Sequence, residues 1–436
     1  MSKTAQDLPS LHASPERQEA HRWLPARPLG PMSEMARLRK THPMMEAIVD
    51  EVDGRQMRVG DHWLTDFASC NYLGFDLEPE IIAAVPEYLA RWGTHPSWSR
   101  MIATPRLFIE IEQELTDLLG AEDSLALPTI THIHLSVIPA LAGQGTIFLD
   151  RNAHRSIHDG CLMARAWGAT VQRFDDNNPA ELEEMLRACR SHPRLVCVDG
   201  LNSMTGNIPP VAELARVTRA NDALLYIDDA HGFGVIGERR PDELSPYGSR
   251  GNSLIRHVGE SYDGIILVAG FSKAYSSLLA FLACPTEVKN HLKAATSPHT
   301  FSGPSPVASL ATVQAGFALN ARRGDTIRAD LHRKTARILD GMGQLGLTSP
   351  NRSGSPIIEI PIGAPERIDA IGDHLFDRGI YTTLAPYPMV PREKVGFRIQ
   401  VTAANTDEEI SHLLEVLAEV AEVADMLSDS TPTRDE

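Results

Sequence analysis

The sequence predicts an α/β protein whose main layer is a doubly wound, mostly parallel sheet. Two observations carry this. Between residues 124 and 284, short apolar runs rich in β-branched residues alternate with stretches of helical spacing, the pattern of right-handed βαβ units. Two of those runs, Ala223–Asp228 and Gly264–Gly270, lead directly into polar side chains, Asp228-Asp229-Ala230-His231 and Phe271-Ser272-Lys273. Buried strands of an open sheet deliver chemistry in this way at their C-terminal ends.

Taken in order, residues 1–40 are rich in Pro, Arg, His and Ser and are expected to form a mobile arm, partly helical around Pro31–Arg39. An N-terminal segment, 41–75, precedes a large domain over 76–304. Pro79–Trp92 has helical spacing at Ile81, Val85 and Leu89, and a second amphipathic helix stops at Leu119 before Gly120. Candidate strands are Ser124–Leu127, Thr146–Asp150, Ala169–Phe174, Leu195–Asp199, Ala223–Asp228, Gly264–Gly270 and Leu278–Cys284. Asn178-Pro179-Ala180-Glu181 supplies a cap, an N1 proline and an N3 acid for one intervening helix. Only Phe271–Ser277 separates the last two strands, too little for a parallel crossover, so that pair is expected to be antiparallel. A small α/β domain over 305–425 follows. Two long helical stretches run to about Leu345, the second starting at Asp325. Strands Pro356–Pro361, Ile380–Leu384 and Gly396–Val401 then surround helices Glu366–Arg378 and Asp407–Val423. The acidic tail, 426–436, is expected to be disordered.

Composition narrows the function classes. A net charge of −16, from 41 basic and 57 acidic residues, argues against nucleic-acid and anionic-membrane partners. No apolar run approaches the roughly 20 residues that span a bilayer, and no signal pattern opens the chain. The five cysteines form no CxxC pair and read as reduced thiols of a cytoplasmic protein.

A single strand-end lysine is usually a solvated charge, and an acidic pair after a strand is usually turn chemistry. Here Asp228, His231 and Lys273 fall on successive strands, and the coincidence points to a site. The set suits an aldehyde cofactor: the lysine forms an imine, the carboxylate pairs with a ring nitrogen, and the histidine orients nearby oxygens. Two rival signals are weaker. Gly232-Phe-Gly234-Val-Ile-Gly237 satisfies GxGxxG but runs into Glu-Arg-Arg-Pro instead of a clear helix. His132, His134, His154 and His158 lack a completing carboxylate, so no metal is expected.

DDAHGFGVIG followed by FSKAY resembles the α-oxoamine synthases, pyridoxal-phosphate (PLP) enzymes that include 8-amino-7-oxononanoate synthase, 5-aminolevulinate synthase, glycine C-acetyltransferase and serine palmitoyltransferase. The resemblance covers roughly residues 60–425. It implies the PLP-dependent fold type I, with a seven-stranded sheet containing one antiparallel strand. It also implies an acyltransferase that joins an amino acid to an acyl thioester by decarboxylative Claisen condensation. Lys273 would carry the cofactor, Asp228 would meet its ring nitrogen, His231 its phenolic oxygen, and His154, in LDRNAH, would stack on the ring. Ser203 would lie by the ring oxygen. The phosphate cup corresponds to Thr129, Ile130, Thr131 and His132, helped by Ser272, because the family threonine three residues before the lysine is Gly270. Ser302 and Gly303 match a pair contributed by a second subunit, so a homodimer with a shared site is implied. Arg398 would hold the substrate carboxylate, with Asn71, Tyr72 and Arg100 at the substrate side. Cys70 stands where the family has asparagine, and Pro96 and Trp98 replace glycines of the entrance loop. The bulkier entrance loop, Lys273-Ala-Tyr-Ser276-Ser277 without the family glycine after the aromatic, and Leu279-Ala280 in place of a glycine pair suggest a specialised acyl donor and admit a carrier-protein-bound one. Another fold type I reaction (transamination, decarboxylation or aldol cleavage) and a catalytically silent binding protein are the alternatives.

Overall fold

The computed structural model describes residues 33–429, apart from 176, 241, 242, 244, 363 and 364. Residues 1–32 of the expected arm over 1–40, and 430–436 of the expected tail over 426–436, lie outside the described residues. Residues Ser33–Thr41 are helical, and the last helix, Asp407–Asp429, runs past the expected stop at Val423.

An antiparallel meander not anticipated from the sequence opens the fold: β1 (Glu51–Asp53), β2 (Gln56–Val59) and β3 (His62–Asp66). Its turns hold Gly54 and Gly60, both at positive φ. Asp53-Gly54 and Gly60-Asp61 were the available signals.

The central sheet joins β4 (Asp123–Leu127), β5 (Thr146–Asp150), β6 (Thr170–Phe174), β7 (Arg194–Asp199), β8 (Leu224–Asp228), β9 (Ile265–Gly270) and β10 (Ala280–Cys284) in the order β4-β10-β9-β8-β7-β5-β6. β10 is antiparallel to both neighbours, while the pairs from β9 to β6 are parallel. All seven strands fall within two residues of their expected starts and ends. Two apolar layers sandwich the sheet, as period-2 alternation requires. Val196, Val198, Leu225 and Ile227 join one layer, and Leu195, Cys197, Tyr226 and Ile266 the other. The predicted cap forms, with Asn178 Oδ1 accepting from the backbone of Ala180 and Glu181.

Two expectations are corrected. The two long helical stretches are one helix, Val307–Gln344. Gly324, where a break was expected, is needed for packing: a Cβ there would lie 2.2 Å from Asn320 Oδ1 and 2.8 Å from Arg328 Nη2. Arg328 is fully buried and donates to Asn320 at 2.7 Å and to the carbonyl of Gly234 at 3.1 Å. The expected strand Ile380–Leu384 is instead two. β12 (Ile380–Tyr381) extends the N-terminal meander beside β3, and β13 (Thr383–Ala385) pairs with β14 (Gly396–Gln400). β11 (Ile357–Pro361) completes that three-stranded sheet. Among the described residues no helix is long and apolar enough to cross a membrane.

Candidate active site

The C-terminal ends of β5, β7, β8 and β9 open into one pocket of about 270 Å³. Its wall includes Lys273, Asp228, His231, His154, Ser203 and Ser272, with Thr129, Ile130 and Thr131 at the first turn of a helix. Residues separated by up to 144 positions in the chain (129 to 273) therefore meet because parallel strands all end on the same side.

Each functional side chain has a physical setting. Asp228 accepts from the backbone N–H of Ala230 at 3.0 Å through Oδ1 and from His134 Nε2 at 3.0 Å through Oδ2. Burial alone would raise its pKa, but His134 and then Lys273 hold it below the usual carboxylate range. Lys273 lies in a lowered state, because burial outweighs its attraction to Asp228, so more of its amine is neutral than in a surface lysine. His231 Nδ1 pairs with the buried Tyr72 hydroxyl at 2.7 Å. Burial first, then the Lys273 and Arg398 cations, keep that imidazole well below its ordinary pKa. His154 caps the Arg155–Ala166 helix, pairing with Ser156 Oγ at 2.7 Å, and its backbone N–H donates to Asp199 at 2.9 Å. Asp199, on the pocket wall, is pushed up to about 8 by burial and by Asp228. Asp229 points elsewhere, accepting from Leu254 N at 2.8 Å, so it supports the turn.

The Ile130–Ala142 helix begins at the pocket, with Thr129 Oγ1 accepting from His132 N. Its first N–H groups have no partner within the helix and suit an anion. Ile130 also explains Gly270. A Cβ at Gly270 would lie 2.8 Å from Ile130 Cδ1, so the isoleucine occupies the space that a side chain at 270 would need.

Several expected site residues stand elsewhere. Arg100 is buried in an ion pair with Glu112 at 2.7 Å and also donates to the carbonyl of Ala126, so its guanidinium is spent inside the core. Asn71 donates to Asp76, itself paired with Arg55. Tyr72 sits behind His231 and is a support for that ring. His132 is exposed on the outer side of its helix and is not among the pocket-lining residues. Ser302 and Gly303 also lie off the pocket wall of their own chain. Arg398 donates to the carbonyl of Ser203 at 2.6 Å, while its Nε is buried without a hydrogen-bond partner.

His134 and Tyr226 were missed. His134 is fully buried and joins Tyr226 OH at 2.8 Å to Asp228. The signal for Tyr226 was available, because residues 226 and 228 of one strand face the same side. The GxGxxG stretch serves packing. Gly234, at φ 85°, sits where a Cβ would lie 2.6 Å from Ala274 Cβ.

The family model for aminotransferase class I and II matches residues 64–417. The 8-amino-7-oxononanoate synthase of Cellvibrio japonicus is 32% identical over 81% of this chain and 86% of its own. The serine palmitoyltransferase of Caulobacter vibrioides is 30% identical over 80% and 84%. Among solved structures, serine palmitoyltransferase of Sphingomonas wittichii superposes with a TM-score of 0.82, at 23% identity over 92% of this chain and 100% of that one. The 8-amino-7-oxononanoate synthase of Francisella tularensis superposes at 0.68, with 19% identity over 83% and 98%. The chain therefore belongs to the aminotransferase class I and II family and, within it, to the α-oxoamine synthases.

Proposed function

We propose that this chain is a PLP-dependent acyltransferase that condenses an amino acid with an acyl thioester to give an α-aminoketone in a biosynthetic pathway. The observation that carries this reading is the convergence of Lys273, Asp228, His154 and His231 on one pocket beside a helix N-terminus. These residues fit PLP: a lysine with a lowered pKa for the aldehyde, an anionic carboxylate for the ring nitrogen, and unpaired N–H groups for the phosphate.

When bound, PLP supplies an electron sink for charge developing at the amino acid's Cα. Asp228 holds negative charge opposite that sink. Lys273, once released, would take the Cα proton on Nζ, and its lowered pKa leaves more of the amine in the neutral, proton-accepting form. Neutral His231, with Nδ1 paired to Tyr72, presents Nε2 as its remaining hydrogen-bonding group. His154 supplies an aromatic face on the pocket wall. Arg398 is not among the pocket-lining residues but donates to the carbonyl of Ser203, which lines the pocket, so its cation would act on the substrate carboxylate from behind Ser203. Ser302 and Gly303 come from a second copy, a reading supported by their position outside their own pocket and by the 81% exposure of adjacent Phe301.

The test adds single amino acids to the PLP-loaded protein, then acyl-CoA or acyl carrier protein, and measures free thiol and the visible cofactor band. Thiol release that requires both substrates and disappears in Lys273→Ala supports the condensation. A spectral response to amino acid with no thiol from any donor would hand the lead to transamination, decarboxylation or aldol cleavage.

A further inference from the structure

Two hydrogen bonds tie Asp228 to a buried chain of side chains that no expected site residue includes. Tyr226 OH lies 2.8 Å from His134 Nδ1, and His134 Nε2 lies 3.0 Å from Asp228 Oδ2. Tyr226 and His134 are both fully buried. Nδ1 of His134 is the one hydrogen-bond partner of Tyr226 OH among the described residues, so donation to Nδ1 is the arrangement that uses the hydroxyl hydrogen. The imidazole proton must then sit on Nε2 and point at the carboxylate. One tautomer follows from one phenol.

We propose that His134, held by Tyr226, is a positioning residue for the cofactor's ring, anchoring Asp228 without discharging it. This rests on the reading in which Asp228 meets the ring nitrogen. A buried carboxylate needs donors for both oxygens. Ala230 N supplies one. An arginine or lysine as the second would neutralise the carboxylate, leaving less charge for a protonated ring nitrogen. An imidazole whose Nδ1 accepts from a phenol donates through Nε2 without the fixed charge of a guanidinium or ammonium. The tyrosine supplies the condition under which the imidazole remains a single-proton donor in that direction. The other charged or titratable groups felt by Asp228 include Lys273 and His154, with Asp199 and Asp229 beside it, so His134 acts on a carboxylate already in a crowded field.

The experiment uses the full PLP-loaded protein and four variants: His134→Leu, His134→Asn, Tyr226→Phe and Asp228→Asn. PLP affinity is read by titration of the visible band, the pH midpoint of that band is measured, and folding is followed by thermal unfolding. His134→Leu leaves a carboxylate oxygen without its donor and is expected to weaken PLP binding on the order of tenfold. Less charge at the ring nitrogen makes the lysine–cofactor linkage a stronger base, so the midpoint moves upward by roughly a pH unit. Tyr226→Phe, which keeps the ring shape, should move the midpoint the same way by less. His134→Asn, which restores a side-chain N–H, should recover most of the affinity. A purely structural role would lower the melting temperature without moving the midpoint. The proposal is overturned if His134→Leu and Tyr226→Phe both keep parental affinity and midpoint while Asp228→Asn alters them. If Asp228→Asn alters neither, the placement of Asp228 against the cofactor fails instead. Should His134→Leu not fold, the remaining variants decide.

Discussion

Restoring the family threonine at position 270 is expected to damage the phosphate cup unless Ile130 is removed with it. An ideal Cβ at Gly270 lies 2.8 Å from Ile130 Cδ1 and 3.1 Å from Cγ1. Optimal carbon contacts are about 3.5–4.0 Å, so the overlap approaches an ångström before the threonine's own Oγ and Cγ are added. Ile130 is the first residue of its helix, behind the Thr129 cap, and lines the pocket. The isoleucine can therefore relieve the clash by moving into cofactor space or by shifting the helix start. Overpacking of this kind costs roughly 1–3 kcal/mol, and a loss of about 1.4 kcal/mol in binding is tenfold in affinity. Gly270→Thr alone is thus predicted to weaken PLP binding about tenfold or more. Ile130→Gly alone loses packing and up to about 1 kcal/mol of helix propensity. Combined, the two changes should recover most of the affinity, with a coupling energy of at least about 1 kcal/mol. PLP titrations and urea unfolding of the parent, both single variants and the double variant measure that coupling. Simple additivity to within about 0.5 kcal/mol, or parental PLP affinity in Gly270→Thr, would refute the reasoning.

Asp199→Asn should change how the cofactor-free protein responds to pH. The folded-state pKa of about 8 lies above the unfolded value, so between about pH 4 and 8 the native state holds a proton that the unfolded chain releases, and stability falls as pH rises. An amide imitates the protonated acid and still accepts from His154 N. Urea midpoints should therefore match the parent near pH 4 and exceed it increasingly toward pH 8; a variant that loses ground with rising pH would refute the assignment. Arg100→Met tests the demotion of that arginine from substrate contact to core. Removing one partner of a buried pair costs about 3–5 kcal/mol, reduced here because Lys289 also reaches Glu112 at 3.1 Å. A loss of about 2–4 kcal/mol in urea unfolding is expected; unchanged stability with a raised KM for the amino acid would return Arg100 to the substrate side.

The sheet and the reactive strand ends were legible because their signals are local. Each strand is a short apolar run with its own boundaries, and Asp228 and Lys273 stand immediately beyond two of them. The antiparallel pairing of β10 followed from a loop too short to cross over. What the sequence concealed depended on partners distant in the chain. The Gly324 position reads as a helix end until Asn320 and Arg328 are seen to need its missing side chain. Ile380–Leu384 is a single apolar run, yet β3 captures one half and β14 the other. Tyr72 and Arg100 carry polar groups suited to a substrate, but His231, 159 residues from Tyr72, takes the first, and Glu112 with the Ala126 carbonyl takes the second.

The same dependence on partners explains why the altered cofactor site retains its capacity to bind. Isoleucine in the phosphate cup would obstruct a threonine at 270, and glycine at 270 would leave a gap beneath a glycine at 130. Together they fill one volume. A histidine at 134 in a dry interior would carry two ring nitrogens at the cost of burying polar groups, yet Tyr226 and Asp228 satisfy both. Cys70 is likewise met by Gln400, whose amide nitrogen lies 2.9 Å from its sulfur, and Gln400 also reaches toward Tyr72 behind His231. Substituting Cys70 or Gly270 toward the family pattern removes half of a matched pair. Motif agreement scored one residue at a time therefore underestimates this site, whose departures at 70 and 270 are met by neighbouring side chains.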